Sequence, residues 1–180
     1  MPKPYHSFHK RAGSALKWGL SAISIAIVVS VWPNPRRQIE RQIVGMADAV
    51  SHHGTIVDRD WLAGLSRNIH ENCSNGSTAV TIEGHVNEAL SQEKIIEGVA
   101  QIAADSTEFI VKFEHITVDL LGESKRAQVS ADAIVEWTRE HRAERERRHV
   151  IFSLQQDDRR YRVIAIEASA NIVNQPEPRP

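Results

Sequence analysis

Hydrophobic positions along this chain fall into three regimes. Between Lys17 and Arg36 no charged residue occurs, and Leu20, Ile23, Ile25, Ile27, Val28, Val29 and Val31 make the run apolar. From Arg36 to Ser51 the spacing turns helical: Ile39, Ile43, Met46, Ala47 and Val50 recur every three or four residues and predict an amphipathic helix that ends at His53-Gly54. Asp58 or Asp60 can cap a second, shorter helix whose stripe is Trp61, Leu62, Leu65 and Ile69. Asn72 to Ser77 has the polar and glycine content of a loop, and Ala79 to Glu83 reads as a short strand. Ser91 is a good cap for a third helix carrying Ile95, Ile96, Val99, Ile102 and Ala103, and Glu93 in its first turn suits the positive end of the helix dipole.

After Asp105 the period drops to two. Ile116, Val118 and Leu120 alternate with polar residues, Gly122-Glu123-Ser124 makes a turn, and Ala127, Val129, Ala131, Ala133, Val135 and Trp137 continue the apolar face of a long hairpin. A charged connection from Arg139 to Arg148 leads to Val150, Phe152 and Leu154, and Asp157-Asp158 turns into a last strand from Tyr161 to Ala168. Helices first and mainly antiparallel strands afterwards predict an α+β domain, about three helices covering one face of a curved sheet.

The first regime predicts a single membrane-spanning helix over residues 18–35. A span needs roughly 17 to 25 residues. Each of the seven aliphatic side chains favours insertion by about 0.3 to 0.6 kcal/mol, a total on the order of 2 to 4, partly offset by Ser21, Ser24 and Ser30. Trp18 and Trp32 bracket the run where indoles prefer the headgroup level, and Pro33 and Pro35 end it. A cleaved secretory leader has a similar make-up. A small-residue pair suited to cleavage occurs only inside the run, at Ser24 and Ala26, which argues for retention. Basic residues flank both ends, with Lys3, Lys10, Arg11 and Lys17 before and Arg36, Arg37 and Arg41 after. A short leader in the cytoplasm over residues 1–17, with the domain of residues 36–170 on the other side, is the expected arrangement. Residues 171–180 are proline-rich and expected to be unfolded.

Charge narrows the partners. The chain of 180 residues is formally -1, but the leader holds four basic residues and no acidic one, so 18 basic residues face 23 acidic ones after it. A domain of that sign is a poor fit to nucleic acid, which selects basic surfaces. Cys73 is the single cysteine, so no disulfide within the chain forms and the core must stabilise the domain unaided.

Several runs carry a resemblance: Val80-Thr81-Ile82-Glu83-Gly84, Leu90-Ser91-Gln92-Glu93-Lys94-Ile95-Ile96, Ile116-Thr117-Val118-Asp119, Ala127-Gln128-Val129 and the closing Tyr161-Arg162-Val163-Ile164. Together with the element order they make residues 36–170 similar to the nuclear transport factor 2-like superfamily, which includes ketosteroid isomerase and SnoaL-type cyclases. The resemblance implies a cone-shaped fold whose cup is an active site in some members, while others are transport adaptors or secretion-system assembly proteins. Fold alone does not decide among these.

Enzymes of that superfamily place an ionisable side chain inside the cup, where desolvation tunes proton transfer. Here the expected inner positions are Ala127, Val129, Ala131, Ala133 and Trp137, which with Trp61 form either a pocket lining or a filled core. Asp119 and Asp132 alternate with apolar neighbours and should face outward. His115 follows Phe109, Val111 and Phe113 at a switch in the alternation, so a bulge there could turn it inward as an acid-base group. His115 and Asp119 are therefore the catalytic candidates. Gln128, Ser130 and Asp132 are the interface candidates on the open sheet face.

The nine histidines show no chelating spacing and have no cysteine partners, so no metal and no cofactor is expected, and His52 and His53 at a helix end suit a surface or capping role. The mixed-sign run from Arg139 to Arg148 is expected to be a solvated connection, though its arginines could meet an acidic surface. The primary expectation is a noncatalytic binding or scaffolding domain, tethered to a lipid bilayer, that pairs with itself or with a membrane-complex protein. The alternative is an isomerase, dehydratase or cyclase, or a carrier of a hydrophobic ligand, using the cup.

Overall fold

The computed structural model describes residues 34–170, leaving out 55, 84, 85, 123, 124, 140, 141 and 159. The span expected over residues 18–35, from Trp18 to Trp32 with its prolines, lies outside the described residues except at its last two positions. Pro35 belongs to the next helix instead, at the first helical position where its missing N–H leaves no bond unmade. No helix among the described residues is long and apolar enough to cross a membrane.

Helix α1 (Pro35–Val50) buries Ile39, Ile43, Met46 and Ala47, the stripe its spacing predicts. A two-residue strand β1 (His52–His53) follows, and Gly54 then turns with a φ of 121° that suits glycine. Helix α2 (Arg59–Asn72) starts where Asp58 accepts a hydrogen bond from the Trp61 backbone N–H at 2.6 Å. Its buried residues are Leu65 and Ile69, whereas Leu62 is 37% exposed. Leu62 thus departs from the expected stripe, because it sits about 100° around the helix from Trp61 and clear of the sheet.

Strands β2 (Ser77–Ile82) and β3 (Val86–Ser91) form an antiparallel pair. The pattern of residues 86–91 did not announce β3: an edge strand with one neighbour buries too little to show alternation. Ser91 caps α3 (Gln92–Ala104) by accepting from the Lys94 N–H. Ile95, Ile96 and Val99 pack against the core and Ala103 is buried, but Ile102 is exposed.

The long strands β4 (Glu108–Leu120), β5 (Arg126–Arg139), β6 (Arg142–Asp157) and β7 (Arg160–Ala170) complete a seven-stranded sheet in the order β1-β4-β5-β6-β7-β2-β3. Every pairing is antiparallel except β2 with β7. Apart from residues 140 and 141, which are outside the described residues, the stretch from Arg139 to Arg148 is strand and not connection. It extends β5 and β6 into a continuous ladder in which Arg145 opposes Glu136 and Arg147 opposes Ile134. Charged side chains of β6 occupy both faces there, so the period-two signal is missing although the strand is present.

One side of the sheet carries the helices. Ile39, Ile43 and Met46 of α1 and Leu65 and Ile69 of α2 share a cluster with Val118, Ala127, Val129, Ala133, Val150, Phe152, Leu154 and Val163. Phe113 meets Phe152 edge-on, ring centres 5.4 Å apart. The small Ala127, Ala131 and Ala133 are buried, and their size is what lets the two helices settle onto β5.

Candidate functional site

The opposite, outer face of the sheet reads as rows across the strands. Ala89, Ala79, Ala165, Ser153 and Gln128 stand in register from β3 to β5, a row without charge. Beside it run Asn87, Thr81, Glu167, Ile151, Ser130 and Thr117. A third row holds His149, Asp132 and Glu114, and beyond it Arg147 and Lys112 flank a buried Ile134.

A bulge in β4 sets this third row. Glu114 pairs with Asp132 and Thr117 with Ser130, so His115 and Ile116 together oppose a single residue, Ala131. The extra residue switches the inner row from Phe109, Val111 and Phe113 to Ile116, Val118 and Leu120. The bulge lies where the sequence pattern places it, but it turns His115 outward. His115 adopts a φ of 52°, is 73% exposed and meets Asp132 rather than the cup. Asp119 is exposed on the same outer face opposite Gln128.

Asp132 is the hub of the face, with a side chain 21% exposed. Arg147 Nη2 donates to its Oδ2 at 2.8 Å, His115 Nδ1 lies 3.1 Å from the same oxygen and His149 Nδ1 lies 3.4 Å from Oδ1. Ser130 Oγ is 3.1 Å from His149 Nε2, and Arg147 also reaches Glu114 at 3.7 Å. Partial burial pushes the Asp132 carboxyl up, but the hydrogen bonds from His115, His149 and Arg147 and the Arg147 charge outweigh it and hold the group below its ordinary value. A second ion-pair ladder links Lys112, Glu136 and Arg145 at 3.8 and 3.4 Å, exposed and worth little by itself.

The depressed Asp132 value fixes a pH effect. A carboxylate favoured in the folded state adds stability above its unfolded value, about 4, and loses it as pH falls through the lower folded value. In urea titrations from pH 6 to pH 3, wild type should lead Asp132→Asn at the upper end and the gap should close below about pH 4. A constant gap would show that the carboxylate charge is irrelevant.

Ala127, Val129, Ala131 and Ala133 lie in the buried core, and Trp137 is half-buried opposite Phe109. Trp61 packs against that core and donates its Nε1–H to the Ser51 carbonyl at 2.8 Å. Two clefts open among the described residues, one of them on the helix side. One of about 250 Å³ lies between α1 and α2, beside Asp48, Trp61, Leu65 and Arg67, and one of about 270 Å³ lies beside Ser74, Gly76, Gln155 and Arg162. Both fall under the roughly 300 Å³ at which ligand pockets usually begin. Arg162 in the second cleft is occupied in holding the end of α2, donating to the His70 and Cys73 carbonyls at 2.9 and 3.1 Å.

The pattern missed two residues. His53 is exposed beside Glu108, but His52 is 3% exposed, its ring 4.8 Å from that of Trp61, and its Nε2 has no hydrogen-bond partner among the described residues. A two-residue strand is too short for alternation to announce which histidine turns inward. His149 sits directly after the charged run, and extending the alternation of Val150, Phe152 and Leu154 back one position would have put it on the outer face. No group of three or more His, Cys, Asp or Glu suited to a metal occurs among the described residues.

No protein-family model matches the sequence, and no curated protein matches it. Solved structures do. A candidate aromatic ring hydroxylase from Novosphingobium aromaticivorans is similar with a TM-score of 0.59 at 14% identity, covering 77% of this chain and 90% of that one. A candidate scytalone dehydratase from the same organism gives 0.56 at 12% identity, covering 73% and 80%. A candidate dehydratase of the nuclear transport factor 2-like family from Streptomyces avermitilis gives 0.56 at 10%, covering 74% and 94%. At these identities the likeness shows the fold: three helices on a seven-stranded mixed sheet, of the nuclear transport factor 2-like kind.

Proposed function

We propose that this domain is a binding module whose working surface is the outer face of its sheet, and that its partner there is a second copy of itself. The observation that carries the reading is the contrast between the two sides. Ile39, Ile43 and Leu65 pack over the inner face, whereas the row Ala89, Ala79, Ala165, Ser153 and Gln128 offers small, uncharged side chains on which another sheet can lie, with the carboxylates Asp119 and Glu167 at its margin. Gln128 falls within this surface, and Ser130 and Asp132 at its border.

Sedimentation velocity of the full chain in a nonionic detergent tests it. Wild type should run as a dimer and Ala165→Arg as a monomer, because two guanidinium groups would face each other across the pairing axis. A monomeric wild type at high concentration, or a dimer indifferent to Ala165→Arg, overturns the reading. Tethering by residues 18–32 is proposed from the uncharged run between Lys17 and Arg36. It fails if alkaline carbonate releases the unprocessed chain from membranes.

A second reading, the isomerase, dehydratase, cyclase or hydrophobic carrier, draws on buried His52 with its unpartnered Nε2 beside Trp61 and on the candidate dehydratases among the similar structures. It requires the helix side to open. Saturable binding of the apolar dye 1-anilinonaphthalene-8-sulfonate by the native chain would favour it, and no binding would set it aside.

A further inference from the structure

The border of the outer face holds a hydrogen-bonded chain that pairing does not need. Ser130 Oγ lies 3.1 Å from His149 Nε2, and His149 Nδ1 lies 3.4 Å from Asp132 Oδ1. We propose that Ser130 is a nucleophile activated by His149, with Asp132 as the positioning residue, and that it accepts acyl groups from small activated carboxylic esters.

The connectivity is the one that serine chemistry requires. A hydroxyl faces one ring nitrogen and a carboxylate faces the other, so the carboxylate holds the proton on Nδ1 and leaves Nε2 free to accept from Oγ. Strand register builds it: Ser130 and Asp132 are two apart on one face of β5, and His149 of β6 stands directly opposite Asp132. Arg147 and His115 brace the carboxylate from the other side, at 2.8 and 3.1 Å. Both strand positions are central, with a neighbour on either side, which makes the support rigid.

In the step itself Oγ bonds to the acyl carbon while its proton passes to Nε2. The ester C–O bond breaks and the departing alkoxide takes that proton as the alcohol. Water then attacks the acyl-serine, giving its proton to Nε2, and the acid is released as Oγ regains a proton. β5 is flanked on both sides, so its backbone N–H groups serve the ladder, and the cation nearest this chain is Arg147, already bonded to Asp132. That limits the site to esters with good leaving groups, and the open surface admits small ones.

A rhodamine-linked fluorophosphonate applied to the full chain should label one residue, Ser130, displacing fluoride. Ser130→Ala should lose the label, and His149→Gln and Asp132→Asn should slow it at least about 10-fold. p-Nitrophenyl acetate hydrolysis should fall in step, measured above the Ser130→Ala background. Because Asp132→Asn removes the hub, a gentler comparison accompanies it. In Ser130→Cys, iodoacetamide should alkylate the new thiol at least about 10-fold faster than in the double variant with His149→Gln. Label spread over other residues, or Ser130 reacting no faster than in the urea-unfolded chain, overturns the proposal, as does a thiol indifferent to His149. Pairing is read by sedimentation, so failure of either proposal leaves the other standing.

Discussion

Leu65→Ala is expected to lower the unfolding free energy of the full chain by about 2 to 5 kcal/mol, measured as a shift in the urea or guanidinium midpoint at constant slope. Leu65 is 0% exposed and belongs to the cluster that α1, α2 and the inner sheet face build together. Its neighbours across the sheet include alanines, which cannot grow to fill the space left behind, so the cavity contribution adds to the lost transfer energy. Leu62→Ala, three residues earlier in the same helix, should change the midpoint by less than about 1 kcal/mol, since that side chain is already partly in water. Equal effects at the two positions would mean that α2 is rotated from the orientation described.

Cys73 is expected to be alkylated at least about 100-fold more slowly in the folded chain than in urea. Burial pushes its thiol up to about 11 from an ordinary 9.0, and the nearby Arg162 charge only partly opposes that shift. Two decades in thiolate population give the factor of about 100 before steric shielding is added. The side chain is 0% exposed where α2 runs out, beside the Cys73–Val163 bridge, and the cap there is held by Gln92 as well as Arg162. Iodoacetamide kinetics followed by mass spectrometry decide the matter. Rapid modification of the native chain would show that this end of α2 opens readily. Arg162→Ala should speed the reaction, because the His70 carbonyl loses this donor and the Cys73 carbonyl is left with Gln92, so the helix end opens more readily.

The helices were legible because each presents a stripe of apolar residues and a chemical start signal. Ile39, Ile43 and Met46 mark α1, and Asp58 and Ser91 mark the beginnings of α2 and α3 through side-chain oxygens that accept from backbone N–H groups. The inner rows of β4 and β5 were legible for the same reason, including the change of phase at His115. Strands with weak burial were not. β1 and β3 stand at the edges of the sheet, and the first half of β6 alternates charge with charge, so no apolar period separates it from a loop.

The candidate site divides along a similar line. Ser130 and Asp132 were assigned to the outer face from alternation within β5, a local property of one strand. Their joining with His149, His115 and Arg147 depends on which residues of β4 and β6 lie opposite, and that register is decided by a one-residue bulge and by the position of a turn. The direction taken by His115 shows the difference most clearly. The sequence predicts a bulge from the broken alternation, but the side of the sheet on which the extra residue emerges follows from its φ of 52° and from the waiting carboxylate of Asp132. By itself the sequence determined the apolar run before Arg36, the α+β class and the two faces of the central strands, because these follow from short-range periodicity. Tertiary structure alone decided that the alanines of β5 are buried, that His52 is buried and that a polar chain crosses two strands, because each depends on contacts between residues far apart along the chain.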